Sequence, residues 1–398
     1  MVTHTFHTIP GTPDFELGFA RKSKIEYWLT LPDSGTPQGL VFYVHGFGGE
    51  MLQGYALKLR SFIAETYNLA CVSVHPHIFY NRPAGKGENV FFEWPDLVYL
   101  NQKLQQHQCP QYCPQQMPCS LTGMLAPLKS LHDALAASSA SSREVLSAMI
   151  YPPHGELHTF GIMQAMDHLL VYYDLLNKIR FDTGKIIAVG SSHGGYIANL
   201  MAKLAPNTIT AVFDNSAYPA PPNYYIAGRE LNLYEHLYHI SEHLSLGCML
   251  KSGWTFNEKA ANFYSPDRER IRSFLFADDI KKMARAGNCK TQFRFYHSKY
   301  DDLAPVGEKQ KMIDLLLEHG FDLQYKLMDH EDVDGTLVKN LQHGMDLSIK
   351  TMFKNFYPTI ATRGGDTDID IQSQITYSGS NLGYTFKFNK STVIPHVR

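Results

Sequence analysis

The chain has 398 residues, with 36 Lys plus Arg against 38 Asp plus Glu, which is long enough to bury a sizeable core in one large domain carrying insertions. Near-balanced charge supplies no general attraction to nucleic acid or to an anionic membrane, so no nucleic-acid partner is expected. The N-terminus MVTHTFHTIPGTPDF lacks a basic start followed by an apolar core, and no stretch approaches about 18 uninterrupted apolar residues, so the expectation is a cytoplasmic protein with no membrane span.

Phe15 to Phe19 and Lys24 to Leu31 alternate in the manner of strands. Gly39 to Val44 is a continuous apolar run, as a strand buried on both faces of a mostly parallel sheet should be. The glycine-rich stretch His45-Gly46-Phe47-Gly48-Gly49 follows it directly. Such a loop lets backbone N–H groups come close to a ligand and suits donation to a developing oxyanion. Helical spacing over Leu57 to Tyr67 and a second apolar run over Leu69 to Val74 give a βαβ rhythm.

From His75 to about Leu157 that rhythm stops, which predicts a long irregular insertion. This segment holds the aromatics Phe91, Phe92 and Trp94 and the low-complexity run from Ala136 to Ser142. It also holds Cys109, Cys113 and Cys119, in CPQYCPQQMPC. With no paired CxxC and no evident fourth ligand, the cysteines read as part of a Pro/Gln-rich surface loop rather than a metal site.

An apolar helical stripe covers Met163 to Ile179, and Ile186 to Val189 then leads into Gly190-Ser191-Ser192-His193-Gly194. This fits GxSxG with Ser192 at its centre, a motif whose serine sits on a cramped strand-to-helix turn. A frame centred on Ser191 would need a glycine where Val189 stands. Ile209 to Phe213 is the next strand, and an aromatic-rich excursion from Tyr218 to about Met283 reads as helical and cap-like. Thr291 to Tyr296 resumes the sheet, Lys309 to Glu318 is a helix, Leu323 to Met328 a strand and Met345 to Phe356 a helix. After Pro358 a polar tail carries two alternating patches, Ile369, Ile371, Ile375 and Tyr377, then Tyr384, Phe386 and Phe388, the pattern of a β-hairpin.

A serine hydroxyl is a weak nucleophile at neutral pH, so it needs a histidine to take its proton and a carboxylate to hold that histidine. In a parallel sheet the three meet if each follows the carboxyl end of a strand. Ser192, then Asp301 or Asp302, then His330 or His343 stand in such positions and in the order serine, acid, histidine.

On these residues the chain resembles an α/β-hydrolase from roughly Ile25 to Phe356, the match being carried by HGFGG, GSSHGG and DDLAP. The resemblance implies an α/β-hydrolase fold, with a mostly parallel central sheet flanked by helices. The domain would span residues 1–358, with insertions at about 76–157 and 217–288 forming a cap and a β-rich extension over 359–398. Many members set the acid four residues before a proline, which points to Asp301. Asp302 remains an alternative, as does Asp214, because some relatives take the acid after the preceding strand. By the same resemblance the backbone N–H groups of Phe47 and His193 would serve the oxyanion, and the His193 imidazole need take no part. GSSHGGY, FDNSAY and LQHGM are together similar to a bacterial family of hydrolase-like proteins of unassigned function. That narrower resemblance favours His343 over His330 and points loosely to modification of bacterial surface glycans.

The expectation is a serine hydrolase acting on a small-molecule or carbohydrate ester through an acyl-enzyme on Ser192. An acyltransferase to a sugar hydroxyl using the same triad and a non-catalytic binding protein that keeps the fold are the alternatives. No GxGxxG or P-loop stands at a strand end and no HExxH occurs, so no cofactor and no metal are expected. The extension offers a dimer contact as well as packing on its own domain.

Overall fold

The apolar runs become the interior strands of one large sheet. In the computed structural model every residue is described except 34, 49–53, 79–88, 139–142, 289, 364–369, 371–372 and 390–391. Gly49 of the glycine-rich stretch, the end of the Ala136 to Ser142 run, and Ile369 and Ile371 of the tail therefore lie outside the described residues. The chain forms two units: the first comprises Met1–Phe79, Phe160–Pro221 and Ser265–Arg398, the second Tyr80–Thr159 and Pro222–Tyr264.

The sheet of the first unit has eight strands, β1 (Val2–Pro10), β2 (Lys24–Pro32), β3 (Leu40–Val44), β4 (Ala70–His75), β5 (Ile186–Ser191), β6 (Ala211–Asn215), β7 (Gln292–Ser298) and β8 (Leu323–Met328). They lie in the order β1-β2-β4-β3-β5-β6-β7-β8. β2 runs antiparallel to both its neighbours, and all other pairings are parallel. This is the α/β-hydrolase arrangement. Alternate residues of the central strands face opposite ways. Val41, Ile187, Val189, Ala211 and Phe213 pack with helices α1 (Gly54–Tyr67) and α4 (Ile349–Phe356) in one buried cluster. Helix α2 (Ile162–Lys178) meets the opposite side, where His168 lies edge-on to Phe42 at 6.1 Å, and packs beside helix α3 (His193–Leu204).

Several local expectations change. Phe15 to Phe19 is a turn, because the Asp14 carboxylate accepts from the backbone N–H of Glu16 and Leu17 at 2.9 and 2.7 Å, and an Asx-type turn competes with extended chain. The edge strand is instead Val2–Pro10, in register with β2 from Val2↔Pro32 to Pro10↔Lys24. The helix expected from Met345 begins only at Ile349: Gly344, Met345 and Asp346 all have positive φ, and Ser348 caps the helix by accepting from Thr351 N–H at 3.2 Å.

The segment expected to be irregular builds a structure of its own. The second unit is a five-stranded sheet in the order His236–His239, Leu244–Leu250, Glu144–Ile150, Val90–Phe92 and Cys119–Ser120, with helices Trp94–Gln106, Leu125–Ala137 and Asn223–Leu231. Its two chain segments are joined by the parallel pairing of Leu244–Leu250 with Glu144–Ile150. A bidentate Arg229–Asp96 pair at 3.0 and 2.7 Å and the Lys251–Glu93 contact at 2.7 Å link them further. The second excursion, expected over 217–288, joins this unit only through Tyr264. From Ser265 onward the chain packs on the first unit, where the buried Arg272 donates to the Phe160 carbonyl at 2.8 Å.

The tail forms three antiparallel strands rather than a hairpin: Gln374–Ser378, Gly383–Phe388 and Val393–Val397. The third strand contains Pro395, which weakens its sequence signal and is tolerated at a sheet edge. Ile375, Tyr377, Tyr384, Phe386, Phe388 and Val393 are buried, and Ile394 is exposed. The Tyr377 hydroxyl donates to the Lys203 carbonyl, and Tyr384 donates to Glu16 Oε1 at 2.7 Å. The Asp267 carboxylate accepts from the N–H groups of Ser380, Asn381 and Leu382 at 2.8, 2.7 and 2.9 Å, and a Cβ on Gly379 would lie 1.9 Å from Asp267 Oδ1.

Because the carboxylate is the partner of all three N–H groups among the described residues, Asp267→Ala should destabilise the protein by about 1–3 kcal/mol. The urea midpoint is the readout, and an unchanged midpoint would show that the turn holds without the carboxylate.

Candidate active site

Ser192 joins β5 to α3 with φ of 56° and ψ of −127°, a conformation that costs a side chain about 1–3 kcal/mol and persists only under packing constraint. The constraint is visible at the flanking glycines. A Cβ on Gly190 would lie 2.3 Å from Gly194 C, and one on Gly194 would lie 2.3 Å from the Val44 carbonyl oxygen. Only glycine at both positions lets the helix start so close to the ends of β5 and β3, which leaves the half-buried Ser192 hydroxyl projecting beyond the strand ends.

His343 approaches that hydroxyl, its Nε2 lying 2.6 Å from Ser192 Oγ. Its Nδ1 lies 2.9 Å from both carboxylate oxygens of Asp301. Nδ1–H donation to the carboxylate leaves Nε2 as the acceptor facing the serine, the tautomer that proton abstraction needs. The Asp301 side chain is fully buried while that of His343 keeps 20% exposure. Burial works to raise the Asp301 pKa, but the hydrogen bond and charge of His343 and the N–H of Ala304 outweigh it and hold the carboxyl below its ordinary range.

Three further residues hold these loops. Asn215, at the end of β6, donates from Nδ2 to the Gly344 carbonyl at 3.0 Å and to Ser191 Oγ at 2.8 Å, tying the histidine loop to the serine turn. Ser298, at the end of β7, donates to the Leu341 carbonyl at 2.6 Å. His297 Nε2–H donates to the Ala304 carbonyl at 2.8 Å, closing the turn that carries Asp301; burial, then the Lys309 charge, push its pKa down to about 4 and keep it neutral. Sequence reasoning gave none of these three a role. The only signal was their place at strand ends, beside residues already singled out.

The alternatives lie elsewhere. Asp302 is exposed. Asp214 is fully buried but committed, pairing with Lys309 Nζ at 2.5 Å and accepting from Asn199 Nδ2 at 2.7 Å and Ala217 N–H at 2.9 Å. His330 is exposed on a short 3-10 turn, its ring 4.8 Å from that of Tyr300. The expected donor His193 opens helix α3, whose first-turn N–H groups point out of the helix end. Its imidazole is engaged on the other side, with Nδ1 2.6 Å from the Tyr218 hydroxyl and Nε2 2.7 Å from Gln164 Oε1. Phe47 is buried with its ring edge-on to His193 at 5.6 Å, which sets its loop beside the helix start. Among the described residues no three His, Cys, Asp or Glu side chains converge to hold a metal ion, and no helix is long and apolar enough to cross a membrane.

Residues 5–394 match the family described as "Protein of unknown function (DUF2920)". No curated protein matches the chain. Among solved structures it is similar to the acylaminoacyl peptidase of Pyrococcus horikoshii, at 13% identity and a TM-score of 0.45 over 92% of this chain and 44% of that one. It is also similar to an esterase of Pyrobaculum calidifontis, at 16% identity and a TM-score of 0.41 over 90% of this chain and 80% of that one. A brefeldin A esterase, described as a bacterial homologue of human hormone sensitive lipase, matches at 14% identity and a TM-score of 0.41, over 90% and 73% of the two chains. The chain thus spans less than half the length of the peptidase.

Since the folded Asp301 pKa is depressed, this group adds stability above the unfolded carboxylate value of about 4, and that stability is lost as the pH falls through the lower folded value. Urea midpoints measured from neutral pH downward should therefore drop more steeply below about pH 4 for the native chain than for Asp301→Asn. Parallel curves would mean that the contact with His343 does not hold in solution.

Proposed function

Because the chain belongs to that family, whose description names no activity, we propose a function from the site itself: a serine hydrolase that cleaves an ester through an acyl-enzyme on Ser192. The observation that carries the reading is the continuous contact from Ser192 Oγ to His343 Nε2 at 2.6 Å and from His343 Nδ1 to Asp301 at 2.9 Å. A binding protein has no use for a strained serine with a histidine correctly turned towards it.

In this mechanism Ser192 Oγ attacks the ester carbonyl carbon while His343 Nε2 takes the hydroxyl proton. Asp301 holds the imidazole and stabilises its positive charge. The carbonyl oxygen becomes an oxyanion and is met by the N–H groups of His193 and Phe47. Losing one such donor typically costs about a hundredfold or more in rate. As the intermediate collapses, the bond to the alcohol oxygen breaks and that oxygen receives the proton from His343. A water, deprotonated in turn by His343, then attacks the acyl carbon, so the acid leaves and Ser192 regains its proton.

A fluorophosphonate should label Ser192 once per chain and leave Ser192→Ala unlabelled. Across p-nitrophenyl esters of graded acyl length and acetylated sugars, Ser192→Ala should lower kcat on the order of 10⁴-fold or more. A folded chain that is neither labelled nor active on any of these esters would sink the proposal. Adding a free carbohydrate separates the two fates of the acyl group. Release of free acid at an unchanged rate supports hydrolysis, whereas transfer to the sugar with little acid released supports an acyltransferase.

A further inference from the structure

The imidazole of His193 has no part in the proton transfers of the mechanism above, yet it is 4% exposed and both its ring nitrogens are bonded. Gln164, in the first turn of α2, donates from Nε2 to the His77 carbonyl at 3.2 Å, which turns its Oε1 towards His193 Nε2 at 2.7 Å. A carboxamide oxygen only accepts, so Nε2 carries the imidazole proton and Nδ1 accepts from the Tyr218 hydroxyl at 2.6 Å. The ring is thus pinned at both ends by side chains from two other segments. An apolar side chain would pack here without needing partners, whereas a buried imidazole is unfavourable unless its nitrogens are met.

Tyr218 belongs to the segment that leaves β6, and that segment holds three consecutive residues of the nucleophile turn. Asn215 donates to Ser191 Oγ at 2.8 Å, its carbonyl accepts from Ser192 N–H at 2.7 Å, and Tyr218 donates to the His193 ring. Two further rings meet His193 edge-on, Phe47 at 5.6 Å and Phe160 at 4.8 Å. Fixing the ring fixes the Cα of residue 193, and with it the peptide that joins it to the left-handed Ser192. The contact with Phe47 carries the same constraint to the loop after β3.

We propose that the Gln164–His193–Tyr218 chain is a positioning element of the oxyanion site. It directs the His193 N–H and, through Phe47, the second donor towards the oxygen that gains charge in the transition state. The inference rests on the serine-hydrolase reading and adds to it the residues that aim its donors. Donors aimed beforehand act on the transition state and little on the bound ester.

The test uses the p-nitrophenyl ester that the native full chain turns over fastest. Tyr218→Phe, which removes one oxygen, and Gln164→Met, which keeps the side-chain length, should each lower kcat about tenfold to a hundredfold, with KM within about twofold of native. A trifluoromethyl ketone built on the same acyl chain forms an oxyanion adduct with Ser192, and its inhibition constant should rise in proportion to the fall in kcat/KM. The double variant should be little slower than the worse single variant, because either substitution releases the same ring. The pH midpoint of kcat/KM, which His343 sets, should not move. If Gln164→Met fails to fold, Tyr218→Phe decides. Native kcat in folded variants, a KM that rises while kcat holds, or a displaced pH midpoint would overturn this inference and leave the hydrolase reading standing. A native chain that neither turns over any ester nor takes the fluorophosphonate would overturn both.

Discussion

The first turn of helix α3 lies against the end of β3 so closely that a Cβ on Gly194 would sit 2.3 Å from the Val44 carbonyl oxygen. This approach governs the site. It forces the chain to leave β5 through a left-handed Ser192, so that the hydroxyl stands clear of the sheet. It also brings the loop that follows β3 beside the helix start, where Phe47 meets His193. The parallel ladder of β3, β5 and β6 sets the spacing to which these contacts conform.

Around that turn the structure treats the buried Asp214 and Asp301 differently. Asp214 is held by Lys309, Asn199 and Ala217. Truncating Lys309 would leave a carboxylate buried without its charge partner, so the pair reads as a rivet between β6 and the helix Val306–Glu318. Asp301 instead spends part of its acceptor capacity on its own loop, through Leu303 and Ala304, and the rest on His343. The neighbouring contacts from Asn215 to Gly344 and from Ser298 to Leu341 fix where that histidine comes from. A side chain that orients another must itself be held, and here the holding is done by the ends of β6 and β7.

The second unit follows a separate logic. Its sheet is assembled from strands about a hundred residues apart in the chain, Glu144–Ile150 and Leu244–Leu250, so neither insertion can complete it alone. That explains why each looks irregular when read by itself: a strand that borrows its partner from a distant segment has no local turn signal to announce it.

Much of the first unit was legible from the chain. The apolar runs ending at Val44, Val74, Val189 and Phe213 are the buried strands, because a strand covered on both faces must be apolar at every position. The cramped turn that carries Ser192 was legible as well, since the glycines on each side answer a steric demand that no other residue meets. The edge strand Val2–Pro10, the turn at Phe15, the late start of helix α4 and the third strand of the tail were not, because local hydrogen bonds and edge pairing decide them. By itself the sequence determined the buried strands of a mostly parallel sheet and the GxSxG turn that carries Ser192, and the fold class followed from the resemblance. It narrowed the other two groups to short lists but could not choose among Asp301, Asp302 and Asp214, or between His343 and His330, without appeal to resemblance. Tertiary structure alone brought His343 to both Ser192 and Asp301 while turning Asp214 towards Lys309. The reason is physical: patterning encodes which residues are buried, but the direction of a side chain at a strand end depends on loops whose partners lie far away in the chain.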